Sequence, residues 1–321
     1  MTETPPSPPT PQAEANARSV DAERIASGYE STGSALEMGA VRLDGTSYPQ
    51  ARIRVPLAMV NRHGLIAGAT GTGKTKTLQV LTEQLSAAGV PVVVADIKGD
   101  LSGLAQAGTS NDRIAERAVD TGDDWAPTAY PVDFLALGGV GSGAPLRATM
   151  TSFGPTLLAK VLGCNSTQES SLGLIFHYAD SAGLPLLDLK DLRAVIQYLT
   201  SDDGKTELKN LGGLSSATAG VILRQLITLE TQGGDVFFGE PEFDTADLLR
   251  TDSQGRGVIS SIELANLQDR PMLFSTFLMW LLADLSTSCP RSAISTSPSW
   301  SSSSTRRTCC STMPARRSST P

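Results

Sequence analysis

The sequence predicts an α/β fold, in which buried parallel strands alternate with helices. Two short apolar runs, at residues 63–67 and 91–96, have the length and composition of buried strands. Between them leucines recur at helical spacing, and Gly89 stands where a helix end is expected. The order strand, glycine-rich loop, helix, strand is that of a β-loop-α-β unit, from which parallel sheets are built.

Further predicted elements extend this unit in both directions. Residues 36–60 hold two alternating runs around a glycine and are predicted to form a β-hairpin ahead of the first strand. Residues 143–235 contain three apolar patterns at helical spacing and are predicted to be a helical insertion. A further strand is predicted at 257–262 and an apolar helix at 272–285.

Both ends of the chain are predicted to be disordered. Residues 1–20 form a leader rich in proline and polar residues. Residues 286–321 form a Ser/Thr/Arg-rich tail, in which every charged residue is an arginine. Neither end has an apolar pattern that would offset the entropy cost of ordering the chain, about 1–2 kcal/mol per residue.

Composition and charge limit the classes of function. The formal net charge of −7 gives no overall basic field, which argues against a simple DNA-coating protein but allows a ring with a few DNA-contacting residues. Only Cys164 precedes residue 285, a cysteine usage typical of the reduced cytoplasm. No run of about 18 apolar residues predicts a membrane span. We therefore expect a cytoplasmic protein without a membrane partner.

The glycine-rich loop after the first strand carries the most specific motif of the chain. It matches the P-loop pattern G-x-x-x-x-G-K-[ST] through Gly68, Ala69, Thr70, Gly71, Thr72, Gly73, Lys74 and Thr75. Glycines let the backbone bend around a triphosphate, and the following helix adds its N–H groups and the positive end of its dipole. Lys74 can reach the β- and γ-phosphates, and the Thr75 hydroxyl can ligate Mg²⁺. The loop therefore predicts a site for ATP and Mg²⁺.

Alternatives to this interpretation remain at the level of the residues. A glycine-rich turn with an accidental Lys-Thr is one, but the flanking strand and helix argue against it. A GTPase is another, because Asp96 and Gly99 mimic a switch motif, although the chain has no Asn-Lys-x-Asp motif that would read the base. Asp96, Lys98 and Asp100 follow the second strand, where ligands of parallel sheets bind.

The P-loop and several later motifs resemble the HerA-like branch of the HerA–FtsK ATPases, most closely its YjgR-type bacterial proteins. The resemblance covers about residues 36–285 and rests on six stretches, at residues 61–75, 96–104, 170–173, 188–193, 232–235 and 277–282. It implies a RecA-like core that assembles into a homo-hexameric ring and uses ATP hydrolysis to move along DNA. Lys74 and Thr75 match the phosphate and Mg²⁺ residues of the family.

The resemblance leaves the second cluster open. Asp96, Lys98 and Asp100 match a family motif without a firm role, and they are candidate catalytic residues on that basis. A role in positioning water and a merely polar strand end are both compatible with the residues.

Half of the expected catalytic site is missing from the sequence. Hydrolysis also needs an acidic pair after an apolar strand, in which an Asp orders Mg²⁺ and a Glu polarises the attacking water. No Asp-Glu pair occurs in the chain. We therefore expect a hydrolysis-deficient chain, and the alternative function is that of a non-hydrolysing nucleotide-binding protein with a structural or regulatory role.

The tail suggests why the pair is missing. When the codons are displaced by one base, with TCN codons for serine, residues 300–311 accommodate Leu-Val-Phe-Phe-Phe-Asp-Glu-Ala-His-Leu-Leu-Phe. This segment resembles the acidic-pair strand of the same family. We therefore expect a reading frame displaced near Leu285 that truncates the domain, and the alternative is a genuine Ser-rich tail.

Overall fold

The computed structural model describes residues 11–139, 141–210, 212–264 and 271–288. The chain divides into two units, one made of residues up to 88 together with 103–130, the other of residues 89–102 together with those from 131 onward. The P-loop belongs to the first unit and the Asp96 cluster to the second. The tail from residue 289 onward, with the segment expected to hide an acidic pair, lies outside the described residues.

The first unit is built on an antiparallel hairpin, as the sequence predicted. Its two strands are β1 (Ala35–Leu43) and β2 (Thr46–Pro56), which pair along their length. Asp44 and Gly45 make the turn between them with positive φ angles of 47° and 83°. The unit also contains three helices, namely α1 (Pro11–Ser27), α2 (Lys74–Ala87) and α3 (Asp112–Thr121).

Helix α1 corrects the predicted disordered leader. The helix begins at Pro11, so residues 11–20 are helical, while residues 1–10 lie outside the described residues. Ala22 is fully buried and packs with Val41, Tyr48 and Ala51 of the hairpin. The composition of the leader did not reveal this, because alanine is the apolar residue that the helix contributes to the core.

The second unit contains a parallel sheet of four strands in the order β3-β6-β4-β5. The strands are β3 (Val92–Asp96), β4 (Val132–Leu137), β5 (Ala144–Leu146) and β6 (Ile259–Glu263). Strand β6 is central, since it pairs with both β3 and β4. The predictions of β3 and β6 are confirmed. The sequence did not predict β4, which carries Asp133 within its apolar run, or the three-residue β5.

Helices of the second unit cover the sheet with a single apolar core. They are α4 (Met150–Val161), α5 (Ser166–Ser181), α6 (Leu189–Thr200), α7 (Lys205–Asn210), α8 (Ser216–Leu229), α9 (Asp235–Phe237) and α10 (Pro271–Ser288). Leu137 and Ile262 of the sheet share this core with Ile175 and Leu192 of the helices. The α/β class and the helical character of residues 150–229 are thus confirmed. Nowhere among the described residues is a helix both long and apolar enough to cross a bilayer.

Residues 63–67 differ from the prediction of a buried strand. They have no regular secondary structure and no strand partner among the described residues, and Leu65 is 89% exposed. A short strand is stable only when a neighbour takes up its backbone N–H and C=O groups. The four strands of the described sheet pair with one another and not with this run. An apolar composition therefore did not suffice to make the strand.

Candidate nucleotide site

The P-loop turns through two glycines before helix α2 begins. Gly71 and Gly73 have positive φ angles of 81° and 94°, a left-handed conformation that costs other residues about 1–2 kcal/mol. Gly73 is the N-cap of α2, and its carbonyl accepts the first helical bond from the Thr77 N–H at 2.9 Å. The predicted loop-to-helix transition is therefore confirmed, whereas the strand before it is not.

The loop closes on the carbonyl oxygen of Ala69. The Lys74 Nζ donates to this oxygen at 2.6 Å, and the Thr72 hydroxyl donates to it at 2.8 Å. A Cβ atom at Gly68 would lie 2.5 Å from the Thr72 Oγ1, so a larger residue there would displace the Thr72 hydroxyl from its present position. The Lys74 ammonium group, which the motif predicts to bind phosphates, is thus hydrogen-bonded to an uncharged backbone carbonyl.

The first turn of α2 is suited to an anion. It carries Lys74 and Lys76 and no carboxylate. The N-terminal N–H groups of a helix and the positive end of its dipole attract phosphate. Thr75 lies in this turn beside Lys74, and Thr70 lies exposed in the loop. The eight predicted residues therefore lie together in one continuous loop and helix start.

Helix α2 makes polar contacts with the hairpin, and none of its leucines is fully buried. Its buried residues are Thr82 and Ser86, whereas Leu78, a predicted core position, is 38% exposed. The Gln84 side chain accepts from the Glu37 backbone N–H at 2.7 Å and donates to the Glu37 carbonyl oxygen at 2.8 Å. The Gln84 side-chain amide thus bonds to both backbone groups of Glu37 in β1, as a neighbouring strand would. These bonds anchor α2 to the hairpin. The leucine spacing did not reveal this anchor.

Asp96 ends strand β3 and is a buried residue, 1% exposed. Its side chain accepts hydrogen bonds from four backbone N–H groups of the segment that follows. The Oδ1 atom accepts from Lys98 at 3.1 Å, Gly99 at 2.7 Å and Asp100 at 3.3 Å. The Oδ2 atom accepts from Leu101 at 2.8 Å. The side chains of Lys98 and Asp100 are exposed. The structure therefore brings the three predicted residues into one turn, in which Asp96 is the internal acceptor.

Glu263 is a carboxylate at the same edge of the sheet that sequence reasoning missed. It ends the central strand β6 and is the register partner of Asp96. Its Oε1 accepts from the Ser261 hydroxyl at 3.1 Å. Its position directly after the strand predicted at 257–262 could have identified Glu263 as a candidate site residue. No group of three or more His, Cys, Asp or Glu side chains within the described residues could hold a metal ion on its own.

Two of the later motifs have a structural explanation. Asp188 and Asp191 form a capping box on α6, in which the Asp188 carboxylate accepts from the Asp191 N–H at 3.0 Å and the Asp191 carboxylate accepts from the Asp188 N–H at 3.2 Å. Such caps stabilise a helix start by about 0.5–2 kcal/mol. The stretch at 232–235 lies at a π-helical turn, where a Cβ at Gly234 would meet the Leu229 carbonyl oxygen at 2.9 Å.

The clearest shifts in pKa lie outside the P-loop. Burial raises the pKa of Glu83 in α2 above its usual range, with Lys76 acting against the shift. Burial likewise raises the pKa of the Cys164 thiol, and the neighbouring charge of Glu169 adds to the effect. A hydrogen bond with Glu207 is the main cause that raises the pKa of Tyr178 to about 12. None of these groups is a P-loop residue.

Comparison with known families and structures gives two kinds of match. The family described as Helicase HerA-like C-terminal matches residues 42–299, which is more than half of the chain. The bacterial conjugative coupling protein TrwBΔN70 in its unbound form is 14% identical, with a TM-score of 0.46 over 82% of this chain and 57% of that one. Its sulphate complex gives 14% identity and a TM-score of 0.47 over 82% and 58%.

A third structure, the plasmid coupling protein TrwB in complex with the non-hydrolysable ATP analogue ADPNP, is 14% identical with a TM-score of 0.46 over 82% of this chain and 59% of that one. The chain therefore spans less than two thirds of the length of these structures. A comparison with curated proteins finds no significant match.

Proposed function

Since the chain belongs to the family of helicase HerA-like C-terminal domains, we propose that it binds ATP with Mg²⁺ at residues 68–75 and acts in an ATP-driven DNA translocase. The contact between Lys74 and Ala69 carries the proposal. It holds an ammonium group over a loop with two glycines of positive φ ahead of a helix start, an arrangement that supports phosphate binding. An incoming triphosphate replaces the neutral carbonyl by anionic oxygens, and such charge-assisted bonds are about twice as strong as neutral ones.

Each group of the loop has a role in this proposal. The Lys74 ammonium leaves Ala69 and binds the β- and γ-phosphates, and backbone N–H groups at the start of α2 surround the phosphate oxygens. The Thr75 hydroxyl holds Mg²⁺, which when bound neutralises part of the triphosphate charge. The described residues provide no complete carboxylate cage, so Thr75 and the phosphates themselves would supply the first ligands.

The proposal includes a chain that hydrolyses ATP poorly. The sequence contains no Asp-Glu pair that would order Mg²⁺ and polarise water. The same observation favours the second candidate function, a nucleotide-binding protein with a structural or regulatory role and no turnover. The translocase proposal further includes a cytoplasmic homo-hexamer that acts on DNA, and this part rests on the resemblance to the family.

Calorimetric titration with ATP and Mg²⁺ tests the site. We expect Lys74→Ala to weaken binding by roughly 10- to 100-fold, as for the loss of hydrogen bonds to a charged group. Lys160→Ala is the matched control, because it removes an exposed lysine from helix α4 in the other unit. Equal affinity of the wild type and Lys74→Ala would contradict the site.

A second measurement separates the two candidate functions. Light scattering after size exclusion, with ATP and with or without double-stranded DNA, reports the assembly that forms. A ring that binds DNA in the presence of ATP supports the translocase. A monomer that binds ATP but neither assembles nor binds DNA supports the regulatory alternative.

A further inference from the structure

The segment after β3 folds around the side chain of its own first residue. Four consecutive backbone N–H groups, those of residues 98–101, point at the Asp96 carboxylate at distances of 2.7–3.3 Å. The last donor, on Leu101, belongs to a residue that is itself buried. The turn is therefore organised from within by one carboxylate.

This arrangement leaves Asp96 little capacity for another ligand. A carboxylate oxygen offers about two lone-pair sites, and Oδ1 already accepts three N–H groups. The other oxygen accepts from Leu101 and is buried with the side chain. A metal ion or a water molecule that took either oxygen would have to displace bonds from a buried group, which leaves N–H groups without partners.

The exposed charged side chains of the turn are those of Lys98 and Asp100. Their direction depends on the backbone between them, where Gly99 has a positive φ of 74°. A Cβ at Gly99 would meet nothing within 4 Å, so the glycine serves the backbone conformation and not the packing. Asp96 and Gly99 thus determine together how Lys98 and Asp100 project from the sheet edge.

We propose that Asp96 is a positioning residue, which fixes the turn at 97–101 and acts in the ATP-dependent function only through the side chains of that turn. The part of this inference that concerns ATP rests on the proposed function. The part that concerns the order of the turn does not. The candidate catalytic role of Asp96 itself, in positioning water, is thereby replaced by a role for the turn.

Amide hydrogen exchange tests the turn without any nucleotide. In Asp96→Asn the side-chain nitrogen would face the Leu101 N–H, so two donors oppose each other. We expect the amides of residues 98–101 to exchange at least about tenfold faster than in the wild type. Glu263→Gln is the control, because this neighbouring carboxylate bonds to the Ser261 hydroxyl, and it should leave these four amides unchanged. Unchanged protection in Asp96→Asn would overturn the proposal.

Gly99→Ala provides a second test that keeps the carboxylate. The alanine disfavours the positive φ while Asp96 stays in place, so it should also speed exchange of the four amides. Both variants should change the affinity for ATP with Mg²⁺ by the same factor, within about twofold, and the double variant should add nothing further. If Asp96→Asn abolished the effect of Mg²⁺ on ATP affinity while Gly99→Ala did not, Asp96 would be a ligand and the proposal would fail. Absence of ATP binding in the wild type would refute the proposed function and leave the exchange test intact.

Discussion

The Nζ of Lys74 lies 2.6 Å from the carbonyl oxygen of Ala69, five residues earlier in the same loop. Lys74, which the motif predicts to bind phosphate, thus bonds to the backbone of its own loop. The loop conformation then depends on its glycines and on the contacts that Lys74 and Thr72 make with the Ala69 carbonyl oxygen. Substitutions of single loop residues can therefore separate loop shape from loop charge.

Gly73→Ala should change the shape without changing the charge. The residue has a φ of 94° at the N-cap of α2, and we expect a loss of about 1–2 kcal/mol in the free energy of unfolding and weaker ATP binding. Urea denaturation and calorimetry measure the two effects. Gly64→Ala is the control, since Gly64 lacks a positive φ and a Cβ there meets nothing within 4 Å. Equal losses in both variants would show that the turn at Gly73 is not special.

Phosphate release by the chain should remain at a trace level. Positioned acids and bases contribute about 10²–10⁴-fold to such reactions, and the chain has no Asp-Glu pair. The measurement is multi-turnover phosphate release with ATP, Mg²⁺ and DNA, beside a family member that retains the pair. Comparable rates in the two proteins would contradict the expectation and would point to a carboxylate such as Glu263.

Gln84→Ala should loosen the anchor between α2 and the hairpin. Two hydrogen bonds to the Glu37 backbone are lost, so we expect the free energy of unfolding to fall by about 1–3 kcal/mol. Gln79→Ala on the same helix is the control, because Gln79 contacts the exposed Lys76 side chain. The anchor would be of no consequence if the two variants had the same denaturation midpoint.

Asp252→Asn should show a pH-dependent effect on stability. Partial burial acts to raise the pKa of Asp252, but hydrogen bonds from Arg256 and Gln254 outweigh it, so the pKa is lowered. A lowered pKa in the folded state stabilises the protein above the unfolded pKa, about 3.9, and this stabilisation is lost as the pH falls through the folded value. The variant should therefore be less stable than the wild type at pH 7, and the difference should shrink as the pH falls below the unfolded pKa and through the lowered folded pKa. Thermal melts between pH 3 and 7 give the comparison.

Much of the fold followed from local patterns. The hairpin around Gly45, the strand ending at Asp96 and the helices of the middle region all carry a clear period and a clear stop, and the structure confirms them. The P-loop was recognisable because glycine spacing, lysine and threonine leave little freedom of interpretation. These predictions depend on residues close together in the sequence.

Two of the failures have a common physical origin, namely interactions between distant residues. Residues 63–67 have a strand-like composition but find no ladder partner among the described residues. Gln84 holds Glu37 across 47 positions, and no period in the sequence indicates such a pair. Asp96 was open to a catalytic interpretation because the sequence shows a carboxylate but not the four amides that surround it.

The hairpin residue Glu37 is held by two kinds of contact that respond differently to salt. Its backbone meets the uncharged amide of Gln84, whereas its carboxylate pairs with Arg52 at 3.1 Å and Arg54 at 2.7 Å. Dissolved ions screen charged pairs over about 10 Å at 0.1 M and about 3 Å at 1 M, but they leave a neutral amide pair almost unaffected. Rising ionic strength therefore weakens the ion pairs within the hairpin, while the hydrogen bonds between Glu37 and Gln84 of α2 persist.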